Sequence, residues 1–112
     1  YQNYQGLKMQ KRFNAFSYYF ISKAMDSQNV GRGRGGVEKA LQRIKAKSLF
    51  LGIESDILFP VSEQKSLAEK VAGGTFKTID SIYGHDGFLL EFEKLTTTIS
   101  QFYRDAQAMN HL

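Results

Sequence analysis

The sequence predicts an α/β fold with an incomplete parallel sheet, and three observations predict it. Ser48-Leu49-Phe50-Leu51-Gly52-Ile53 is a short continuous apolar run, the mark of a strand buried on both faces. Thr75 to Asp80 reads as a second, less apolar strand near a sheet edge. A long amphipathic stretch then places Phe88, Phe92, Leu95, Ile99, Phe102 and Ala106 at spacings of 4, 3, 4, 3 and 4, one face of a helix. With a short helix between the strands, residues 47–108 run strand, helix, strand, helix, the order of a right-handed crossover with parallel strands. Two strands alone make a poor sheet, so part of the fold is expected outside these 112 residues.

Residues 1–30 read as two short helices. Asn14 opens the second by accepting a backbone N–H from its first turn. Phe13, Phe16, Phe20 and Ala24 follow at spacings of 3, 4 and 4, a single helical face. The aromatics crowded into residues 1–20 exceed what two isolated helices bury on themselves, so they need another surface. Gly31-Arg32-Gly33-Arg34-Gly35-Gly36 ends this part as a flexible loop. Val37 to Ile44 supplies one or two helical turns.

After the first strand, Ser62 is placed to cap a helix over 63–72 whose Leu67, Ala68 and Val71 face inward, with Gly73-Gly74 as its terminator. The last helix is predicted over 87–108, with Glu91 and Glu93 early and Arg104 late, a distribution that suits the helix dipole. His111, at the chain end, is expected to be disordered.

Composition narrows the function classes. Nine Phe and six Tyr in a 42% hydrophobic chain are enough to build a core. No apolar run approaches the length of a membrane span, and no secretory signal is visible. The first residue is Tyr, not Met, which reads as a piece of a longer chain. Cysteine is absent, so disulfides and thiolate metal sites are excluded, and a cytoplasmic location is expected. The net charge of +4 is mild, and its basic residues gather early in the chain. Ordinary solvated lysines account for that; a phosphate-bearing ligand or nucleic acid is the sharper alternative.

The chemistry-bearing candidates are Asp56 and His85. Each lies just past the carboxyl end of a strand, where open α/β sheets gather their chemistry. Adjacent parallel strands are about 4.8 Å apart, so loops leaving the same edge could bring the two side chains together. The carboxylate would fix the ring tautomer, leaving the other ring nitrogen to take a proton from a nucleophile. The bland alternatives are a turn aspartate and a surface histidine. The order Asp then His is that of the last two members of a hydrolase triad that begins at a G-x-S-x-G elbow. No such elbow occurs here, so the chain alone is expected to have no triad chemistry.

Several motifs together carry a family resemblance: Arg12-Phe13-Asn14-Ala15-Phe16-Ser17-Tyr18, Gly31-Arg32-Gly33-Arg34-Gly35-Gly36, Ser55-Asp56-Ile57-Leu58-Phe59-Pro60 and Tyr83-Gly84-His85-Asp86-Gly87-Phe88-Leu89. The chain resembles the C-terminal part of the homoserine O-acetyltransferase family, acyltransferases of methionine biosynthesis with an α/β-hydrolase fold. The resemblance implies that residues 1–42 are lid helices with a Gly/Arg-rich return loop, and that residues 43–112 are a C-terminal core segment carrying Asp56 and His85 as triad acid and base. It implies acetyl-CoA as co-substrate with no further cofactor or metal, L-homoserine as acceptor, and Asp86 as the group that binds the substrate ammonium; a helix N-terminal acid is the plain alternative for Asp86. Arg32 and Arg34 could hold CoA phosphates, or their loop could be a lid-to-core linker whose glycines adopt positive φ. A homodimer or other self-association is expected, with neither nucleic acid nor membrane as partner. The family's nucleophile and oxyanion donors have no counterpart here, Phe16 stands where a smaller polar residue is expected, and Gly87 stands where Ala is expected. A serine O-acetyl- or homoserine O-succinyltransferase, a hydrolase of the same fold, and a non-catalytic interaction module are the alternative functions.

Overall fold

A computed structural model describes residues 1–109, so His111 and the expectation attached to it lie outside the described residues. The elements are helices α1 (Gln2–Arg12), α2 (Ala15–Ser27) and α3 (Val37–Gln42), strand β1 (Ser48–Ile53), helix α4 (Val61–Lys70), strand β2 (Gly74–Ile79), a 3-10 turn at Gly84–Asp86, and helices α5 (Gly87–Leu90) and α6 (Phe92–Met109).

The strands pair in parallel, with Ser48 opposite Gly74 and Ile53 opposite Ile79. Successive side chains of a strand point to opposite faces, and the helices divide accordingly. A Cβ placed on Gly52 would meet Val61 of α4 and the ring of Phe76, so α4 covers that face. Leu49, Thr75 and Lys77 line the other face opposite Thr98, Phe102 and Ala106 of α6, across a cleft of about 540 Å³. The buried centre is small: Ala40, Leu41, Ile53, Ala68, Val71 and Ile79. Glycine is required at Gly74, where an added Cβ would lie 2.2 Å from the Ala68 carbonyl oxygen.

Three local readings need correction. Helix α4 lies two residues early at both ends: Pro60, not Ser62, occupies its N-cap position with no side-chain cap, the fixed φ of proline starting the helix, and extended Val71, not Gly73-Gly74, ends it. The Gly/Arg loop is a compact turn. Gly31 carbonyl accepts from the amides of Arg34 and Gly36, the Asn29 side chain accepts from Gly31 N–H, and Gly33, Gly35 and Gly36 all have positive φ. The positive φ values are as expected, and the hydrogen bonds replace the expected flexibility. The closing helix is interrupted at Glu91, whose φ −85 and ψ 51 separate α5 from α6. The apolar spacing runs unbroken through this point because periodicity records which face is apolar and not the direction of the axis. Lys94 ties the start of α6 to the end of the sheet, donating to the Asp80 carbonyl at 2.6 Å.

Helices α1 and α2 form where expected, and Asn14 accepts the Phe16 N–H at 2.8 Å. Neither helix buries a residue. Phe16 is 75% exposed and Phe20 65%, so the surface their aromatic face needs is absent among the described residues. The radius of gyration is 18.0 Å, against about 13 Å for a compact chain of this length. Among the described residues no helix is long and apolar enough to cross a membrane.

Candidate active site

Ile53 and Ile79 end their strands side by side, and the Glu54 amide extends the ladder to the Ile79 carbonyl at 3.1 Å. The two chains therefore leave the sheet together at its carboxyl edge. After β1 the chain turns at once around Asp56, which is only 8% exposed. Its Oδ1 accepts the amides of Leu58 and Phe59 at 2.9 and 3.0 Å. Its Oδ2 lies 2.8 Å from Nδ1 of His85, 29 residues further on. Asp56 is thus a turn residue and the partner of the imidazole at once, one oxygen for each task.

Three hydrogen bonds to one carboxylate favour its charged form. The carboxyl of Asp56 is held below its ordinary range, first by the Phe59 amide; burial opposes, and the His85 hydrogen bond, the Leu58 amide and the charge attraction of His85 add to the lowering. An ionised carboxylate only accepts, so His85 Nδ1 carries the proton and donates it toward Oδ2. Nε2 is then the ring nitrogen left outside the pair, and among the described residues it makes no hydrogen bond.

Two phenylalanines pack against the ring. Phe59 and Phe88 lie 5.0 and 5.2 Å from it, centroid to centroid, in tilted contacts. Phe59 belongs to the turn that Asp56 organises, and Phe88 lies on α5. The residues alone single out neither phenylalanine as part of the site; Phe88 falls on the apolar stripe of the closing helix. The signal that could have found them is their closeness in sequence to Asp56 and His85.

His85 itself sits in the 3-10 turn, entered through Gly84 at φ 58. Two serines shape the approach. Ser81, 4% exposed, accepts the Tyr83 N–H on its own Oγ, and Gly87 packs so closely that a Cβ there would lie 2.9 Å from that Oγ. Ser55 Oγ donates to the Ser81 carbonyl and accepts the Gly84 N–H at 2.9 Å.

Asp86 occupies the position before α5 but makes no side-chain cap, and its side chain is in no ion pair among the described residues. Arg32 and Arg34 donate to the carbonyls of Ser27 and Val30 at 3.0 and 2.9 Å, which closes the turn after α2. No group of His, Asp and Glu with metal-ligand geometry occurs among the described residues.

Fold and site define a class first: a mixed helix–strand segment with a small parallel sheet, whose carboxyl edge holds a hydrogen-bonded aspartate–histidine pair. The sequence then points to a particular group of proteins. No protein-family model matches. The chain is 52% identical over 103 residues to a homoserine O-acetyltransferase of Cyclobacterium marinum, covering 92% of this chain and 29% of that protein. It is 48% identical over 103 residues to the one of Thermus thermophilus, covering 91% of this chain and 27% of that protein. With the one of Symbiobacterium thermophilum it shares 43% over 112 residues, 96% of this chain and 29% of that protein. The likeness to homoserine O-acetyltransferases therefore extends along nine-tenths of the chain, and the chain spans less than a third of the length of these relatives, as a C-terminal piece would.

Proposed function

We propose that this chain is the acid–base part of a homoserine O-acetyltransferase with an α/β-hydrolase fold, in which Asp56 and His85 serve a nucleophilic serine carried elsewhere in the whole protein. The observation that carries the reading is the 2.8 Å bond between Asp56 Oδ2 and His85 Nδ1, which leaves Nε2 free. The names of the relatives support the choice of acetyl donor and homoserine acceptor.

In the first half-reaction Nε2 takes the serine hydroxyl proton as the serine oxygen attacks the acetyl-CoA thioester carbonyl. The Asp56 carboxylate stabilises the imidazolium so formed. Collapse of the tetrahedral adduct breaks the C–S bond, and His85 returns the proton to the departing CoA sulfur. In the second half Nε2 takes the proton of the homoserine side-chain hydroxyl, whose oxygen attacks the acetyl-serine. Collapse breaks the ester to the enzyme, and the proton goes back to the serine oxygen.

Asp86 is the partner proposed for the homoserine ammonium. It is exposed beside His85 and is in no ion pair among the described residues, which supports the role. Arg32 and Arg34 each commit one guanidinium N–H to a carbonyl and keep others, enough for a phosphate of CoA. The chain alone lacks a serine in a nucleophile elbow and is expected to be inactive.

His85→Ala in the whole protein tests the assignment. Loss of acetyl transfer from acetyl-CoA to L-homoserine, with folding intact by circular dichroism, is the expected result. Full turnover in that variant would instead leave a non-catalytic interaction module.

A further inference from the structure

We infer that Ser55 is a positioning residue that sets His85 over Asp56, an inference that rests on the reading of those two residues as base and acid. Asp56 and His85 come from different loops, and a hydrogen bond between side chains is no more accurate than the register of the loops that carry them. Past the Glu54–Ile79 bond the sheet ladder stops holding the two loops together. Ser55 takes over from there with one atom. Its Oγ donates to the Ser81 carbonyl and accepts the Gly84 N–H at 2.9 Å. The two contacts bracket the stretch that leads into His85, and the second lies on the residue immediately before it.

The geometry depends on both partners. Gly84 has φ 58, in the left-handed region that favours glycine, and in that conformation its N–H reaches the hydroxyl. A hydroxyl has one proton to give and lone pairs to receive, so the donor bond to Ser81 orients the acceptor lone pairs toward Gly84. Ser55 is also the direct chain neighbour of Asp56. The atom that fixes the histidine loop and the carboxylate that meets the ring are therefore one residue apart, and the separation of carboxylate and imidazole is set by a short covalent path plus one hydroxyl. Deleting that hydroxyl leaves the acid, the base and the substrate groups chemically intact and removes only what aligns them. Misplacement of a catalytic group by about 1 Å is enough to cost on the order of 100-fold in rate.

The experiment compares Ser55→Ala, Ser55→Thr and His85→Ala in the whole acyltransferase, with acetyl-CoA and L-homoserine as substrates. Ser55→Ala is expected to lower kcat by about 10- to 100-fold with KM unchanged, and Ser55→Thr, which keeps the hydroxyl, to restore most of the turnover. An inactive His85→Ala beside a Ser55→Ala with wild-type kcat overturns the role of Ser55 and leaves the acid–base reading standing. An active His85→Ala overturns that reading and the role of Ser55 with it. Should Ser55→Ala fail to fold, Ser55→Cys carries the test, since a thiol has a similar shape but is a weak donor and acceptor: a reduced kcat at unchanged KM supports the positioning role, and a wild-type kcat overturns it.

Discussion

Asp56 and His85 share a 2.8 Å hydrogen bond while the second oxygen of the carboxylate holds its own turn through the Leu58 and Phe59 amides. The same side chain builds the loop and orients the ring. Asp56→Asn separates the two tasks. The amide oxygen still accepts the two backbone N–H groups, but an NH₂ now faces Nδ1, which must turn acceptor, and the proton moves to Nε2. Acetyl transfer by the whole protein is expected to fall on the order of 10³- to 10⁴-fold, with the fold retained. A steady-state assay of Asp56→Asn beside the wild type checks this, and a loss under tenfold would contradict it.

Acid should weaken the fold through the same carboxyl. Its folded value lies below that of an unfolded aspartate, with the Phe59 amide the leading cause. Folding therefore favours the ionised form. The stabilisation is complete above the unfolded value of about 4 and is lost as pH falls through the lowered folded value. Denaturant midpoints of the wild type and Asp56→Asn, followed from neutral pH down to about pH 3, should converge on acidification. A gap between them that stays constant with pH would exclude this linkage.

Gly74 and Gly6 make a contrasting pair. A Cβ at Gly74 would lie 2.2 Å from the Ala68 carbonyl oxygen and 2.9 Å from that of Val71, both backbone atoms. Gly74→Ala is expected to destabilise the strand–helix core by about 1–3 kcal/mol. Gly6 lies inside α1 with nothing within 4 Å of the added atom. Gly6→Ala should raise helix content, by a local gain of about 0.5–1 kcal/mol. Thermal melts read the first and far-ultraviolet circular dichroism the second.

The isolated chain should self-associate. The aromatic face of α2 is open, with Phe16 and Phe20 mostly exposed, and β1 pairs only with β2 among the described residues. An apolar strand with an open edge is a template for further pairing. Sedimentation at micromolar concentration is expected to show species larger than a monomer, reduced when Phe16 and Phe20 are both replaced by Ser. A monodisperse wild-type monomer would contradict the expectation.

Much of this was legible in the residues. The run from Ser48 to Ile53 is a strand with the expected boundaries, and Asn14 caps α2, because both follow from nearest-neighbour chemistry. The start of α4 was misplaced because a serine near a helix start resembles a cap, whereas the proline before it fixed the backbone first. The break at Glu91 was invisible because Phe88 and Phe92 keep helical spacing across it while serving different surfaces: Phe88 packs on His85, and Phe92 is 74% exposed. The ring contacts of Phe59 and Phe88, and the hydroxyl bridge of Ser55, join loops that only a folded chain brings together.

The sequence by itself determined the two strands, most of the helices, and which acid and which imidazole stand at the ends of the strands, since apolar spacing, caps and turn residues act over a few neighbours. Only the tertiary structure decided that those two groups meet. Their contact spans 29 residues and depends on the parallel register that sets Ile53 beside Ile79. A hydrogen bond tolerates only a few tenths of an ångström, and local pattern carries no distance of that kind.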